Sequence, residues 1–499
     1  MVLFFLGYEM KFCKLKYQHW LFYVLWSLLI INLGQTIFSL LYSDHILFDN
    51  FEHLKAVYFV SSGDIPYRDF FEHHHPLLWY LLAPFINFFP REPISAIYLG
   101  RFICLLISVL SGYYIYKTEK KFIGGTLCAL FCLNLYFCAI SNISLSGLFQ
   151  IKPDIFQRCC FFAGLYYLFC YFRYRKFYDL QICALLWTLA FLFLQTTIFY
   201  VVPFVFPVGY FIYKNPSRMI DFIKASAIPM IIIISCIVLL WKEGLLMRYY
   251  ETNWQLNSVI ASVVLYIRKN YAITLYLADI LFIAIVAIAA LFYKKKINIY
   301  IISVLSAFIV EFLFRTFYVT HGYYYLTWLL IYAAMLAAPL ATKICLKIKI
   351  MLVPFIAIIF IHLFGNLIII GRQKLHESIP IITQTGCEII CSDIFCSRHS
   401  YYWMYPSIEM FDDILFNPAP EYDLTSIYKQ KNSKILFSPP TSDNKYYTKG
   451  LRGIREKFNL TEKQEAILQH HLIDDFVREN YIEIGELTYQ RKDTLSDIK

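Results

Sequence analysis

The chain has 499 residues, 59% of them hydrophobic and 16% charged, with a net charge of +10 and a mean hydropathy of +0.54. A soluble globular protein does not carry that balance without aggregating, so the composition excludes a soluble enzyme and selects a polytopic membrane protein. The abundance of Phe, Tyr, Ile and Lys fits genome base bias, and no function is drawn from it.

The first apolar segment, Trp20 to Leu41, follows Lys11, Lys14 and Lys16. It is too long for the core of a cleavable signal peptide and no small-residue cleavage site follows, so it reads as an uncleaved signal anchor. Eleven segments in all have the length and apolarity expected of spans: 18–41, 94–116, 122–142, 155–173, 179–195, 197–213, 220–241, 272–293, 297–315, 323–341 and 350–370. The piece from Pro76 to Phe89 is apolar but short, and reads as an interfacial or re-entrant helix.

Charge orients these segments. With a cytoplasmic N-terminus and 76–89 not spanning, six inner loops (the N-terminal arm, 117–121, 173–176, 214–224, 294–296 and 343–349) carry three Lys/Arg each, eighteen together. That is the positive-inside bias; counting 76–89 as a span would flip every later loop. The expected architecture is an all-α polytopic membrane protein of about eleven transmembrane helices, with interfacial helices in the first outer loop (42–75). The two expected domains are a membrane domain, 1–370, and a small extracytoplasmic α/β domain, 371–499. In the latter, "SKILFSPP" and "YIEIGELTYQRK" read as strands, and "LTEKQEAILQHHLIDDFVREN" between them has helical spacing. The fourteen cysteines lie mostly in apolar segments, while Cys387, Cys391 and Cys396 in the tail match no metal spacing.

The first outer loop concentrates the ionisable groups. Residues 44–75 hold six acids, two bases and five histidines. Asp49, Glu52, His53 and Ala56 fall at i, i+3, i+4 and i+7, which predicts a surface helix with one ionisable face, Phe51, Leu54 and Tyr58 lying on another. Gly63 and Pro66 break that helix, and "FFEHHHP" returns the chain to the membrane with Pro76 in the first turn of the next helix. Metal binding by His73, His74 and His75 is not expected. Adjacent histidines in one strand or helix cannot all face one ion, and no i, i+4 pair occurs.

The run Asp49, Gly63, "PYRDFFEHHHPL" resembles the first outer loop of GT-C superfamily glycosyltransferases, the bacterial group related to protein O-mannosyltransferases and lipid A aminoarabinose transferases. "FQIKPD" (149–154) is similar to that group's second-loop Arg-Pro-Asp, with Lys152 in place of arginine. The likeness covers residues 20–200. The group often carries Asp-Glu in the first loop, whereas here Asn50 follows Asp49 and the next acid is Glu52.

The resemblance implies transfer of a sugar from a polyprenyl-phosphate carrier to an envelope glycan, lipid or protein, outside the cytoplasm. An alcohol is a poor nucleophile until a base takes its proton, and Asp49 is the expected base. Asp154 is the second expected acid, orienting the sugar or a first-loop cation; its plainer role is an acid opening a helix. The leaving phosphate calls for fixed cations, and Arg68, Arg101, Lys152 and Arg158 lie on the outer side. Other expected substrate contacts are Glu52, His53, Asp69, Glu72, His74, His75 and Gln195, with Thr196 beside it. Asp69 and Glu72 also suit holding Arg68 and the histidines, and His74 or His75 suits positioning the next helix. His321, Tyr323 and Tyr325 lie on an outer rim where an aromatic belt is the ordinary explanation. No cofactor is required, although a divalent cation bridging Asp49, Glu52 and donor phosphate is compatible. The expected location is the bacterial inner membrane, with the tail outside. The rival readings are a transporter or flippase of a lipid-linked or small solute, and a non-catalytic envelope scaffold.

Overall fold

The computed structural model describes residues 2–42, 48–61, 63–68, 72–86, 93–143, 148–256, 298–318, 322–347, 435–437, 481–485 and 488–492. The described chain is mostly helical. It runs through α1 (Val2–Tyr42), α2 (Phe48–Ser61), α3 (Leu77–Ile86), α4 (Pro93–Thr118), α5 (Thr126–Ile143), α6 (Pro153–Tyr174) and α7 (Phe177–Phe193). There follow α8 (Thr197–Val201), α9 (Val205–Lys214), α10 (Met219–Ala225), α11 (Ala227–Lys242), α12 (Leu246–Tyr250) with a π turn over Glu251–Leu256, α13 (Ile299–Tyr318) and α14 (Gly322–Lys347).

Among the described residues, six helical stretches are long and apolar enough to cross a bilayer: Tyr17–Leu41, Ser95–Ile123, Pro153–Tyr174, Thr197–Lys214, Pro216–Lys242 and Trp328–Leu346. Thr126–Cys138, Phe177–Phe193 and Ile299–Leu313 are shorter apolar helices at three more of the expected spans. The expected spans 272–293 and 350–370 lie outside the described residues. At ten residues, α3 rises about 15 Å, half of a hydrocarbon core, which agrees with a segment that does not cross.

Burial sorts the helices. In α6, 89% of the apolar window is buried, against 6% for Pro216–Lys242, so α6 is the axis of the bundle and α11 faces outward. Lipid tails are as apolar as leucine, so close packing rather than water exclusion must hold such helices together. Around α6 that packing is aromatic: Phe161 stacks on Trp187 at 5.6 Å, Phe162 on Trp328 at 5.3 Å, and Tyr200 on Trp328 at 3.9 Å. Gly164 permits the close approach of α7, because a Cβ there would meet Trp187 Cδ1 at 2.4 Å. Trp187 cannot swing away without losing that stack and the hydrogen bond its Nε1 donates to the Phe161 carbonyl at 3.1 Å. Gly164→Ala is therefore expected to destabilise the bundle by about 1–3 kcal/mol, read as a lowered apparent Tm in detergent.

Basic loops gather at one end of the bundle. Arg173 Nη1 donates to the Lys121 carbonyl at 3.1 Å, Arg175 lies 3.9 Å from the Phe211 ring, and Arg218 pairs with Asp221 at 3.3 Å. Basic loops 117–121, 173–176 and 214–224 thus meet at one end. Lys152 and Phe191 stand at the far ends of α6 and α7, and the histidine run packs there.

Of the C-terminal region, three short strands are described: β1 (Ile435–Phe437), β2 (Tyr481–Gly485) and β3 (Thr488–Arg491). They form an antiparallel sheet of order β1-β3-β2, with Leu436 opposite Tyr489 and Ile482 opposite Gln490. The helical stretch expected between β1 and β2, and Cys387, Cys391 and Cys396, lie outside the described residues.

Candidate functional site

Helix α2 forms over the expected stretch, but its faces are not divided as its spacing suggests. His53, Leu54, Ala56 and Val57 are all buried, so histidine and alanine share the packed side with leucine and valine. The cause is α3, whose Trp79 donates from Nε1 to His53 Nδ1 at 3.4 Å and packs with Leu54, Val57, Leu78 and Leu82. The expected ionisable face is corrected to this extent: His53 belongs to the interface between α2 and α3. The side chains of Asp49 and Glu52 lie outside the described residues, although their backbone is helical.

The end of α2 is built as a Schellman turn. Gly63 N donates to the Val60 carbonyl at 3.1 Å and Asp64 N to the Phe59 carbonyl at 3.0 Å, with Gly63 at φ +95°, a left-handed value glycine takes without cost. Tyr67 is also left-handed, at φ +68°. That strain of about 1–2 kcal/mol is offset by what the side chain reaches: its hydroxyl donates to the His74 carbonyl at 2.6 Å and its ring meets Tyr249 at 5.6 Å. Arg68 follows, exposed. Asp69 lies outside the described residues.

Residues 72–75 then run in an irregular conformation, and this changes what adjacent side chains can do. Glu72 is fully buried. Its Oε1 accepts from His73 N at 2.9 Å and lies 2.8 Å from His74 Nδ1 and 3.4 Å from His73 Nδ1. Burial raises the carboxyl's proton affinity, but hydrogen bonds from His73 and His74 outweigh it and hold the group well below the usual carboxylate range. The rings of His73 and His74 are 3.9 Å apart and His53 is 4.9 Å from His74. Ligand-type atoms of Glu72, His73 and His74 all lie within 4.8 Å of one another. Two of the three adjacent histidines thus bring ring nitrogens to one carboxylate, which the irregular backbone permits and a helix or strand would not.

His75 turns the other way. Its Nδ1 donates to the Phe191 carbonyl at 2.8 Å, and its Nε2 accepts from the Tyr249 hydroxyl at 2.9 Å. Burial pushes its pKa down to about 4, so it is neutral with one tautomer fixed. Both nitrogens serve the protein, tying the first loop to α7 and α12.

The second outer loop shares the apolar floor of the first, with Ile151, Ile155 and Phe156 packing with Trp79, Ala96, Ile97 and Phe193. Ser108 Oγ donates to the Leu148 carbonyl at 2.6 Å and Tyr136 to the Ser108 carbonyl at 3.0 Å, which pins this loop to α4. Arg101, on α4 and buried, lies 5.6 Å from the Phe149 ring. Lys152 is extended, as a residue before proline must be, and caps α6; Pro153 takes the first turn and half-buried Asp154 sits beside it. Arg158 is buried one turn on. Gln195 donates to the Asn253 carbonyl at 3.1 Å, and Thr196 accepts from Gln157 Nε2 at 3.0 Å. His321, and the side chains of Tyr323 and Tyr325, lie outside the described residues.

The structure thus gathers His53, Glu72, His73 and His74 at one place, with His75 turned toward α7 and α12, and sets Arg101 on α4 and Lys152 and Asp154 at the start of α6. Three partners have no sequence signal: Tyr249, Asn253 and Gln157, which orders the Leu194–Thr197 turn. No curated protein matches the chain. Residues 73–241, from the histidine run to the end of α11, match the family model described as dolichyl-phosphate-mannose-protein mannosyltransferase, a GT-C superfamily domain, and that match supports a membrane glycosyltransferase of this type.

Proposed function

We propose that the protein transfers a sugar from a polyprenyl-phosphate carrier to an envelope glycan, lipid or protein acceptor on the extracytoplasmic face of a bacterial inner membrane, with inversion at the anomeric carbon. The observation that carries this reading is the match of residues 73–241 to the mannosyltransferase family, since that segment contains the histidine run and the Lys-Pro-Asp loop. Mannose is the first donor sugar to try on that ground.

In this reading Asp49 takes the acceptor proton as the bond to the anomeric carbon forms. Arg68, Arg101 and Lys152 hold the phosphate as its bond to the sugar breaks, and Asp154 orients the sugar. Cationic groups at the rim of an apolar bundle stabilise a leaving phosphate more strongly than in water, because local screening is weak. The N-terminus is cytoplasmic and the tail extracytoplasmic in this reading, supported by the positive-inside bias of the loops in the sequence.

The test is transfer by the full chain reconstituted in liposomes with polyprenyl-phosphate-linked, radiolabelled mannose and an envelope extract. The expected result is label in a new glycosidic product with release of one polyprenyl phosphate per sugar. No product from any of several polyprenyl-phosphate sugars would overturn the reading. A transporter or flippase is the second reading, favoured by Glu311, a buried acid within the apolar helix α13, where ion pathways often run. Movement of labelled lipid across the bilayer with no new glycosidic bond is its signature.

A further inference from the structure

We propose that Glu72, His73 and His74 bind one divalent transition-metal cation, Zn²⁺ by the character of the donor set. Two imidazoles and one carboxylate suit zinc and its neighbours, whereas Mg²⁺ and Ca²⁺ favour oxygen shells.

The geometry supports this before any ion is added. Bonds of about 2.0–2.1 Å place neighbouring ligands of one zinc ion about 2.9–3.4 Å apart. Glu72 Oε1 stands 2.8 Å from His74 Nδ1 and 3.4 Å from His73 Nδ1, and all three ligand atoms lie within 4.8 Å of one another, so the two imidazoles need only close slightly around the ion. Glu72 Oε2 is a second, independent observation: it is fully buried on a carboxylate of 0% exposure and has no hydrogen-bond partner among the described residues. A buried carboxylate oxygen left that way is costly, and a cation offsets the cost directly.

The surrounding chain holds the three ligands in place. Tyr67 fixes the His74 carbonyl, the His73 amide is tied to Glu72, and His75 anchors the next residue to α7 and α12. The ligands are consecutive in sequence, so this anchoring replaces the helical or hairpin spacing that usually builds a zinc site. On binding, the proton shared between Glu72 and His74 leaves, and both Nδ1 atoms donate lone pairs to the metal. Three protein ligands leave a fourth position for an oxygen from water or phosphate, the arrangement of an open rather than a purely structural site.

The test uses the full chain in detergent, purified by a histidine-free tag, stripped with chelator and titrated with Zn²⁺ alone by calorimetry. Co²⁺ absorption reports the ligand field. The expected result is one equivalent bound, with His73→Ala and His74→Ala each weakening affinity by at least about 10–100-fold, the loss that removing even an outer partner brings. Glu72→Gln, which keeps the side chain's shape, should weaken binding comparably if the alanine variants prove unstable. Sub-stoichiometric binding, or equal affinity in the His73→Ala/His74→Ala double variant, overturns the proposal. Neither outcome depends on any transfer activity.

Discussion

Replacing Asp49 by asparagine is expected to lower sugar transfer by roughly 10²–10⁴-fold while membrane insertion and apparent Tm stay as in the wild type. Asparagine keeps the size and a hydrogen-bonding oxygen but cannot accept the acceptor's proton. Position 49 is in the first turn of α2, a helix held by Leu54, Val57 and the Trp79–His53 contact further along, so the substitution leaves its docking intact. Asparagine and aspartate are equally good near a helix N-terminus, which limits the structural cost to the loss of a favourable charge–dipole contact, about 0.3–1 kcal/mol. The loss should therefore fall on kcat, with KM for the lipid donor little changed, because phosphate is assigned to the cationic side chains. A variant with wild-type kcat moves the base elsewhere, and Asp154, half-buried at the mouth of the adjoining loop, is the next carboxylate to replace.

The parts of this structure written in local sequence are those set by local physics. Hydropathy and length locate α4, α6 and α11, and the shortness of 76–89 agrees with the ten residues of α3. Gly63 and Pro153 mark a helix end and a helix start because their backbone preferences act within a few residues. The site is less legible because its contacts join distant residues. His75 reaches Phe191 across 116 positions and Tyr249 across 174, and neither partner differs in sequence from dozens of other aromatics. Helical spacing sets Asp49, Glu52, His53 and Ala56 on one face but does not say which face α3 covers; packing buries His53 and Ala56. The convergence of Glu72, His73 and His74 requires an irregular backbone, which periodicity cannot anticipate.

Replacing His75 by leucine should both loosen the first loop and remove a distinctive acid sensitivity. The substitution leaves the Phe191 carbonyl without its donor and the Tyr249 hydroxyl without its acceptor in a largely buried setting. At about 1–3 kcal/mol for each abandoned group, the expected destabilisation is roughly 2–5 kcal/mol, diminished where Tyr249 turns to water. The pH dependence follows from the folded value of about 4 against an ordinary 6.5, a depression caused first by burial. Between those values the unfolded chain binds the proton and the folded chain does not. Stability is therefore complete above about pH 6.5 and declines as the pH falls toward 4, by about 3 kcal/mol over the window. Glu72, held below the usual carboxylate range by its histidines, adds a loss of the same sign at still lower pH, and comparing the two proteins cancels every contribution they share. Apparent Tm measured across that window should slope in the wild type and be flatter, from a lower starting point, in His75→Leu. Parallel slopes in the two proteins would mean that His75 takes up its proton without leaving Phe191 and Tyr249, and that the clasp between the first loop, α7 and α12 is softer than its distances imply.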